Sequence, residues 1–431
     1  MTWINAIKKK TQQLKPGRRA AKLARSEIAI DRLSRFPFFS ASDYLKQNPD
    51  TFGIPPEVHF VKHGAAEQRQ VVSQTSIART LGKLQGKFIE QEMPSIRHKD
   101  VLTVGIFVSS LGNAFMNEIA EAVATQLELA GHSVIRGTEH SDIDSRPKNS
   151  IYVAPHEFFF LGRGPAWVRD DVLASACMFC TEQVQTQWFW KALPIVLMSK
   201  CVIDLSDPIS VAFRAVMPAA CICPAAVSKG EPTNASIAQH PLLSGQRWWT
   251  SNAANNLSWS ERPVDVCFFG TTSPYRDQFF ARHASKLAEI DGFLYLRKRQ
   301  ASEPILRSTG VPDLVEVARY VAQNSKVLLN IHRDEFPYFE WHRLVYQGMA
   351  NGCLVLSEPC FPNRYCQAGV HYLTEEPHRL MALLDWVLND PDGRHKASTV
   401  AAAASSAATC KEQILQGANE ICRLLTQCAE A

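Results

Sequence analysis

Between Lys326 and Glu358 the chain reads KVLLNIHRDEFPYFEWHRLVYQGMANGCLVLSE, and this stretch restricts the fold more than any other. The nearly unbroken apolar run from Val327 to Ile331 is that of a strand buried on both faces of a parallel sheet. A polar, proline-containing loop follows from His332 to Tyr338, and a helix is predicted to start near Glu340. Glu340, Arg343 and Gln347 stand at i, i+3 and i+7 and so share one helical face, while Leu344 and Met349 turn toward a core. Gly352 ends the helix and Cys353 to Ser357 forms the next buried strand. In an open α/β sheet, ligands lie beyond the carboxyl ends of the strands, where helix N-termini favour phosphate. His332, Arg333, Glu340 and Arg343 are therefore expected to converge on an anionic ligand. The plainer alternative is a structural ion pair between Glu340 and Arg343 in some other doubly wound protein.

The same strand-and-helix alternation runs upstream. Val264 to Phe269 is a strand leading into Gly270-Thr271-Thr272-Ser273-Pro274-Tyr275-Arg276. A glycine directly after a strand lets backbone N–H groups approach a diphosphate, and Thr271, Thr272 and Arg276 add donors and charge. Nearer the start, Thr103 to Val108 is a strand, Ser109 to Gly112 a small-residue turn, and Asn113 an N-cap. Ile119, Val123 and Leu127 stripe the helix after it, which ends at Gly131. The turn is not G-x-G-x-x-G, so a nicotinamide dinucleotide site is unsupported. Further strands at 133–136, 151–154, 177–180, 201–205 and 219–223 complete a sheet of about six strands. Two of these strands lead into groups suited to proton transfer: His156-Glu157 after one, Glu182 after another. Each is equally readable as a loop-capping residue.

A chain of 431 residues is long for one core, so two ordinary domains are expected. The divisions are a basic N-terminal segment (1–37), a small helical accessory module and linker (38–98), a first Rossmann-like domain (99–225), an interdomain linker (226–262), a second Rossmann-like domain (263–395) and a C-terminal helix returning to the first (396–431). A formal net charge of +4 argues against a general nucleic-acid binder. The start carries no secretory signal and no run spans a bilayer, which points to the cytoplasm. Clustered Lys8, Lys9, Lys10, Lys15, Arg18, Arg19, Lys22 and Arg25 would suit either an anionic membrane surface or a solvated terminus. The twelve cysteines are scattered through apparent strands and helices, as reduced thiols would be. Asp142-Ile143-Asp144 lies in a polar loop and reads as solvated, so no metal is implied.

Taken together, a strand ending in N-I-H, then E-x-x-R, then a helix closing on G-M-A-N-G and a strand ending in S-E resemble the donor half of nucleotide-sugar glycosyltransferases of the two-Rossmann (GT-B) type, in particular their bacterial group-1-like branch. The resemblance covers residues 100 to 430, with its specific motifs after Val264. It implies an α/β fold of two Rossmann-like doubly wound domains facing a cleft, with a small helical N-terminal extension. It also implies transfer of a sugar from a nucleoside-diphosphate sugar to a glycan or lipid-linked acceptor, in bacterial surface polysaccharide biosynthesis, with no cofactor and no metal. Donor contacts would be Gly270, Thr271, Arg276, His332, Glu340, Arg343 and Gln347. Gln347 stands where many such enzymes carry a second glutamate that holds the ribose hydroxyls. The first domain would supply the cleft loop, Gly112 and Asn113, and the catalytic candidates His156, Glu157 and Glu182. The module after residue 38 resembles a segment recurring in surface-polysaccharide glycosyltransferases. The partners implied are a nucleotide-sugar donor and a glycan or lipid-linked acceptor, with no nucleic acid; the basic N-terminus would add an anionic membrane surface, on the inner face of the membrane, where it is not simply solvated. Two other functions fit the same residues: a sugar-nucleotide epimerase or hydrolase, and a catalytically silent scaffold or binding module.

Overall fold

Apolar strands without polar alternation can be satisfied only by a sheet covered on both sides, and the computed structural model contains two such sheets, every strand pairing parallel. It describes residues 16–85, 101–226, 237, 240–246, 248, 257–298, 314–363 and 365–427. The start of the basic segment, the linker before residue 101 and most of the expected interdomain connection lie outside these.

The first sheet holds β1 (Thr103–Phe107), β2 (Ser133–Gly137), β3 (Asn149–Val153), β4 (Ala176–Cys180), β5 (Cys201–Asp204) and β6 (Ala219–Cys221) in the order β2-β1-β3-β4-β5-β6. The second holds β7 (Val264–Thr271), β8 (Gly292–Arg297), β9 (Ser325–Asn330), β10 (Leu354–Ser357) and β11 (Leu373–Thr374) in the order β11-β10-β9-β7-β8. In both, the first and third strands are neighbours and the second and fourth lie on opposite sides of them. That reversal opens a crevice at the carboxyl ends of β1 and β3, and another at those of β7 and β9. The architecture is α/β, two Rossmann-like doubly wound units. Helices α1 (Pro16–Arg35), α2 (Gln74–Gln85), α3 (Ala114–Leu129), α4 (Gln187–Leu197) and α5 (Asp207–Arg214) belong to the first unit. Helices α6 (Pro274–Ala288), α7 (Leu314–Gln323), α8 (Leu380–Asn389) and α9 (Pro391–Ala408) belong to the second, and α10 (Lys411–Gln427) ends the chain.

The N-terminal module is packed onto the first sheet's helices. Phe36 lies 5.1 Å, centroid to centroid, from Phe213 of α5, and Phe60 lies 6.0 Å from Trp190 of α4. Arg32 donates to the carbonyls of Leu197 and Ser199 at 2.7 and 2.8 Å, closing carbonyls left open at the end of α4. His59 is buried and receives or gives a 2.8 Å bond to the Tyr44 hydroxyl, while His63 is exposed.

Two local expectations are replaced. The helix after Glu340 is a π-helix over His342–Gly348, followed by a 3₁₀ turn at Met349–Asn351. Pro391-Asp392-Gly393 is the first turn of α9: Asp390 caps it, accepting from the amides of Asp392 and Gly393, and Pro391 occupies a position whose missing N–H costs nothing. The expected single terminal helix is two. α9 packs on α8 and β10, the chain breaks at Thr409-Cys410, and only α10 returns to lie on α3. There Cys422 contacts His132 at 3.2 Å, and Lys200 donates to the Leu425 carbonyl at 2.5 Å, the favoured place for a cation at a helix C-terminus.

Candidate functional site

The crevice of the second sheet is bridged by one guanidinium. Ser273 caps α6, its hydroxyl accepting from the Arg276 amide at 3.2 Å, and this aims the Arg276 side chain back over the sheet. Nε of Arg276 reaches the Ile331 carbonyl at 3.0 Å and Nη1 the Thr271 carbonyl at 3.0 Å, joining the ends of β7 and β9. A side chain on Gly270 would strike the Phe268 ring, 2.7 Å from an added Cβ, so the close approach there requires glycine. Arg343 enters from the π-helix: Nη1 donates to Asn330 Oδ1 and the Ile331 carbonyl, both at 3.2 Å. The two guanidinium carbons lie 5.5 and 5.1 Å from the centre of the Phe268 ring. Both arginines are buried, and one carboxylate serves them. Glu340 Oε2 is 2.5 Å from Arg343 Nη1 and 3.7 Å from Arg276 Nη2. Burial draws the Arg343 pKa down to about 10 against the opposing pull of Glu340, and its Nε has no hydrogen-bond partner among the described residues. The two guanidiniums share the Glu340 carboxylate, the Glu358 and Asp334 carboxylates also act on Arg276, and Arg343 Nε is left as an unfilled buried donor at the crevice.

His332 follows β9, buried, its ring stacked 5.0 Å from Tyr338 at 25°. Burial lowers its pKa to about 4, so it is a neutral imidazole at neutral pH. Its backbone N–H donates to Glu358 Oε2 at 2.5 Å, and the Tyr275 hydroxyl donates to Glu358 Oε1 at 2.6 Å. A single carboxylate at the end of β10 thus ties together the loops after β7 and β9; burial raises its pKa. Gln347 is buried within the π-helix.

The first sheet's crevice carries a second cluster. Asn113 caps α3 by accepting from the Phe115 amide at 3.2 Å, and its own amide donates to Glu157 Oε2 at 3.0 Å. An added Cβ on Gly112 would fall 2.1 Å from the same oxygen. Ala154 adopts a left-handed conformation (φ 52°) directly before Pro155, a strained turn that swings His156 and Glu157 back over the strand ends. His156 Nε2 lies 3.5 Å from Glu182 Oε1 and 3.9 Å from Glu157 Oε1. The five residues expected at the first domain's cleft therefore lie together: Gly112, Asn113, His156, Glu157 and Glu182.

The two crevices face each other through direct contacts. His342, the residue before Arg343, reaches Glu118 of α3 at 2.9 Å, and its ring lies 4.6 Å from that of Phe115, tilted by 36°. Gln185, three residues after Glu182, approaches Asp334 at 3.4 Å.

Several site residues escaped the sequence reading. Glu118, His342, Tyr275 and Glu358 act through long-range pairs with no local pattern, and only the S-E ending of β10 marked one of them; Tyr338 acts within its own loop, its hydroxyl accepting from the Arg333 amide five residues before it. Glu139, three residues before the Asp142-Ile143-Asp144 loop, is buried, and its carboxylate accepts from the Ser110 amide and hydroxyl at 2.8 and 2.5 Å. Burial pushes its pKa up, but those two bonds prevail and hold it below the usual range. Among the described residues no group of three or more His, Cys, Asp or Glu is placed to hold a metal ion.

No protein-family model and no curated protein matches the chain. Among solved structures it is similar to Anabaena HepE in complex with UDP-glucose, with a TM-score of 0.43 and 10% identity over 76% of this chain and 100% of that one. T4 phage beta-glucosyltransferase gives a TM-score of 0.42 and 11% identity over 75% of this chain and 99% of that one. For OtsA in its apo form the values are 0.39 and 11%, over 76% and 99%.

Proposed function

We propose that this chain is a glycosyltransferase that moves a sugar from a nucleoside-diphosphate sugar to a glycan or lipid-linked acceptor. The observation that carries the reading is the pair Arg276 and Arg343, buried over Phe268 at the crevice of the second sheet and sharing one carboxylate. A diphosphate would give the two guanidiniums, and the unfilled Nε of Arg343, anionic acceptors, and guanidinium groups stabilise the further charge it gains as it leaves. In this reading Gly270 and Thr271 let the backbone approach the phosphates, Glu340 and neutral His332 face the sugar, and Gln347 hydrogen-bonds the nucleoside. The bond from the sugar's anomeric carbon to the diphosphate breaks, and one to an acceptor hydroxyl oxygen forms. His156, flanked by Glu182, takes the proton released from that hydroxyl. Glu157 has one oxygen committed to the Asn113 amide, so we assign it to holding the cleft loop beside His156. No step is routed through a metal. Surface polysaccharide biosynthesis and residence on the inner membrane face through the basic N-terminus belong to the same proposal; no helix among the described residues is long and apolar enough to cross a membrane.

The test is thermal stabilisation by UDP, GDP, dTDP, CMP and ADP, for wild type, Arg343→Lys and Glu340→Gln. One nucleotide at a hundredfold excess over its Kd should stabilise the wild type by about 2.7 kcal/mol. Arg343→Lys, which keeps the charge but loses the planar fork, should lose most of that effect while folding normally. If no nucleotide stabilises the wild type, the donor site is wrongly assigned. Stabilisation without release of the nucleoside diphosphate in the presence of any acceptor would favour the scaffold instead.

A further inference from the structure

Beside the His156 and Glu182 cluster stands a cation that neither crevice uses. Lys191 lies on α4, one turn after Trp188, and its Nζ sits 4.7 Å from the centre of the Trp188 ring and 4.9 Å from that of Phe160. Phe160 belongs to the segment that follows His156 and Glu157, and Trp188 borders the narrow crevice, about 10 Å³, that His156, Thr181 and Glu182 also line. Trp188, Phe160 and Lys191 are all part-exposed, so each offers some surface to a ligand, with the ammonium seated over both rings. No carboxylate of the described residues pairs with Lys191; the rings are its partners. Burial alone lowers its pKa, with no anion pulling the other way.

We infer that Trp188, Phe160 and Lys191 form the acceptor subsite, and that the acceptor it selects is an acidic saccharide, one carrying a carboxylate or phosphate on the unit that lies against these rings. The apolar face of a sugar ring packs on an aromatic ring as other apolar surfaces do, and an ammonium desolvated by two rings gains more from an anion than one in water. The placement matters as much as the chemistry. Trp188 borders His156 and Glu182, the pair assigned above to take the acceptor's proton, so a sugar packed on its exposed part would have that pair as its neighbour. The inference rests on the glycosyl-transfer reading for its purpose, but not for its test.

The test is binding of saccharides to the full chain in the absence of donor, by saturation-transfer NMR and calorimetry. The probes are a neutral disaccharide, its uronic-acid counterpart and its 6-phosphate; wild type is compared with Lys191→Met and Trp188→Leu. Wild type should bind one or both acidic probes at least about tenfold more tightly than the neutral one, as a charge-assisted contact would give. Whichever acidic probe binds better identifies the anion. Lys191→Met, which keeps the apolar stem between the rings, should erase that preference and leave neutral binding unchanged. Trp188→Leu should weaken all three. Equal binding of neutral and acidic probes by wild type, a preference that survives Lys191→Met, or no binding of an acidic probe at millimolar concentration would each overturn the subsite. Nucleotide stabilisation with a failed saccharide preference removes the subsite alone; a saccharide preference without nucleotide stabilisation removes the transferase reading and leaves the subsite standing.

Discussion

His332 shows how one side chain's surroundings set its chemistry. It is enclosed by Tyr338, Glu358 and the two arginines of the site, and burial leaves its imidazole neutral with a pKa of about 4. In the unfolded chain the same ring titrates near the ordinary value of about 6.5. Above that pH neither state binds the proton and the folded protein keeps its full stability. Below it the unfolded chain gains the proton first, so stability falls between about 6.5 and 4, by up to about 3 kcal/mol. His332→Asn should therefore flatten the pH dependence of the denaturation midpoint across that window relative to wild type. An unchanged slope would mean the imidazole is hydrated. Sequence reading reached His332, Glu340 and Arg343 because they stand at a strand's end and at helical spacing, both local properties. It marked Glu358 only as a strand's S-E ending and could not pair it with Tyr275, since their bond joins positions 83 apart.

At the scale of elements, the parallel sheets were legible because strands buried on both faces cannot alternate, and β4, β5, β9 and β10 are uninterrupted apolar runs but for terminal residues. The π-helix was not. Over the seven residues His342–Gly348 the wider turn leaves the same apolar pattern as an α-helix, and only the backbone bonding distinguishes them, as where the Met349 amide reaches the Leu344 carbonyl five residues back. The turn before α3 offers a cleaner test of element geometry. Gly112→Ala should destabilise by about 1–3 kcal/mol, because the new methyl meets the Glu157 carboxylate that holds the Asn113 amide. In Gly112→Ala/Glu157→Ala the clash disappears, so the double variant should be more stable than the sum of the single effects predicts. Strict additivity, read from urea midpoints, would show that the loop relaxes away from Glu157.

At the scale of the molecule, the halves meet through Glu118, which takes His342 Nε2 at 2.9 Å and Arg319 Nη2 at 3.8 Å from two elements of the second unit. All three side chains are largely shielded, so the contact is worth more than an exposed pair. A double-mutant cycle of Glu118→Ala and His342→Ala should show coupling on the order of 0.5–3 kcal/mol; additivity within about 0.3 kcal/mol would mean the contact does not hold the halves together. None of this was visible in the chain order, since α3 and the π-helix are separated by 224 positions at that pair.

The return of α10 to α3 has a mechanical side. The chain enters through α1 on the first unit, builds the second sheet, and finishes on the first unit again, so the entire second unit is an insert between two points of one body. Tension applied at the two ends would run through the seat of α10 against α3, where Cys422 meets His132 and Lys200 meets Leu425, and the inserted half would carry no load until that seat gave way.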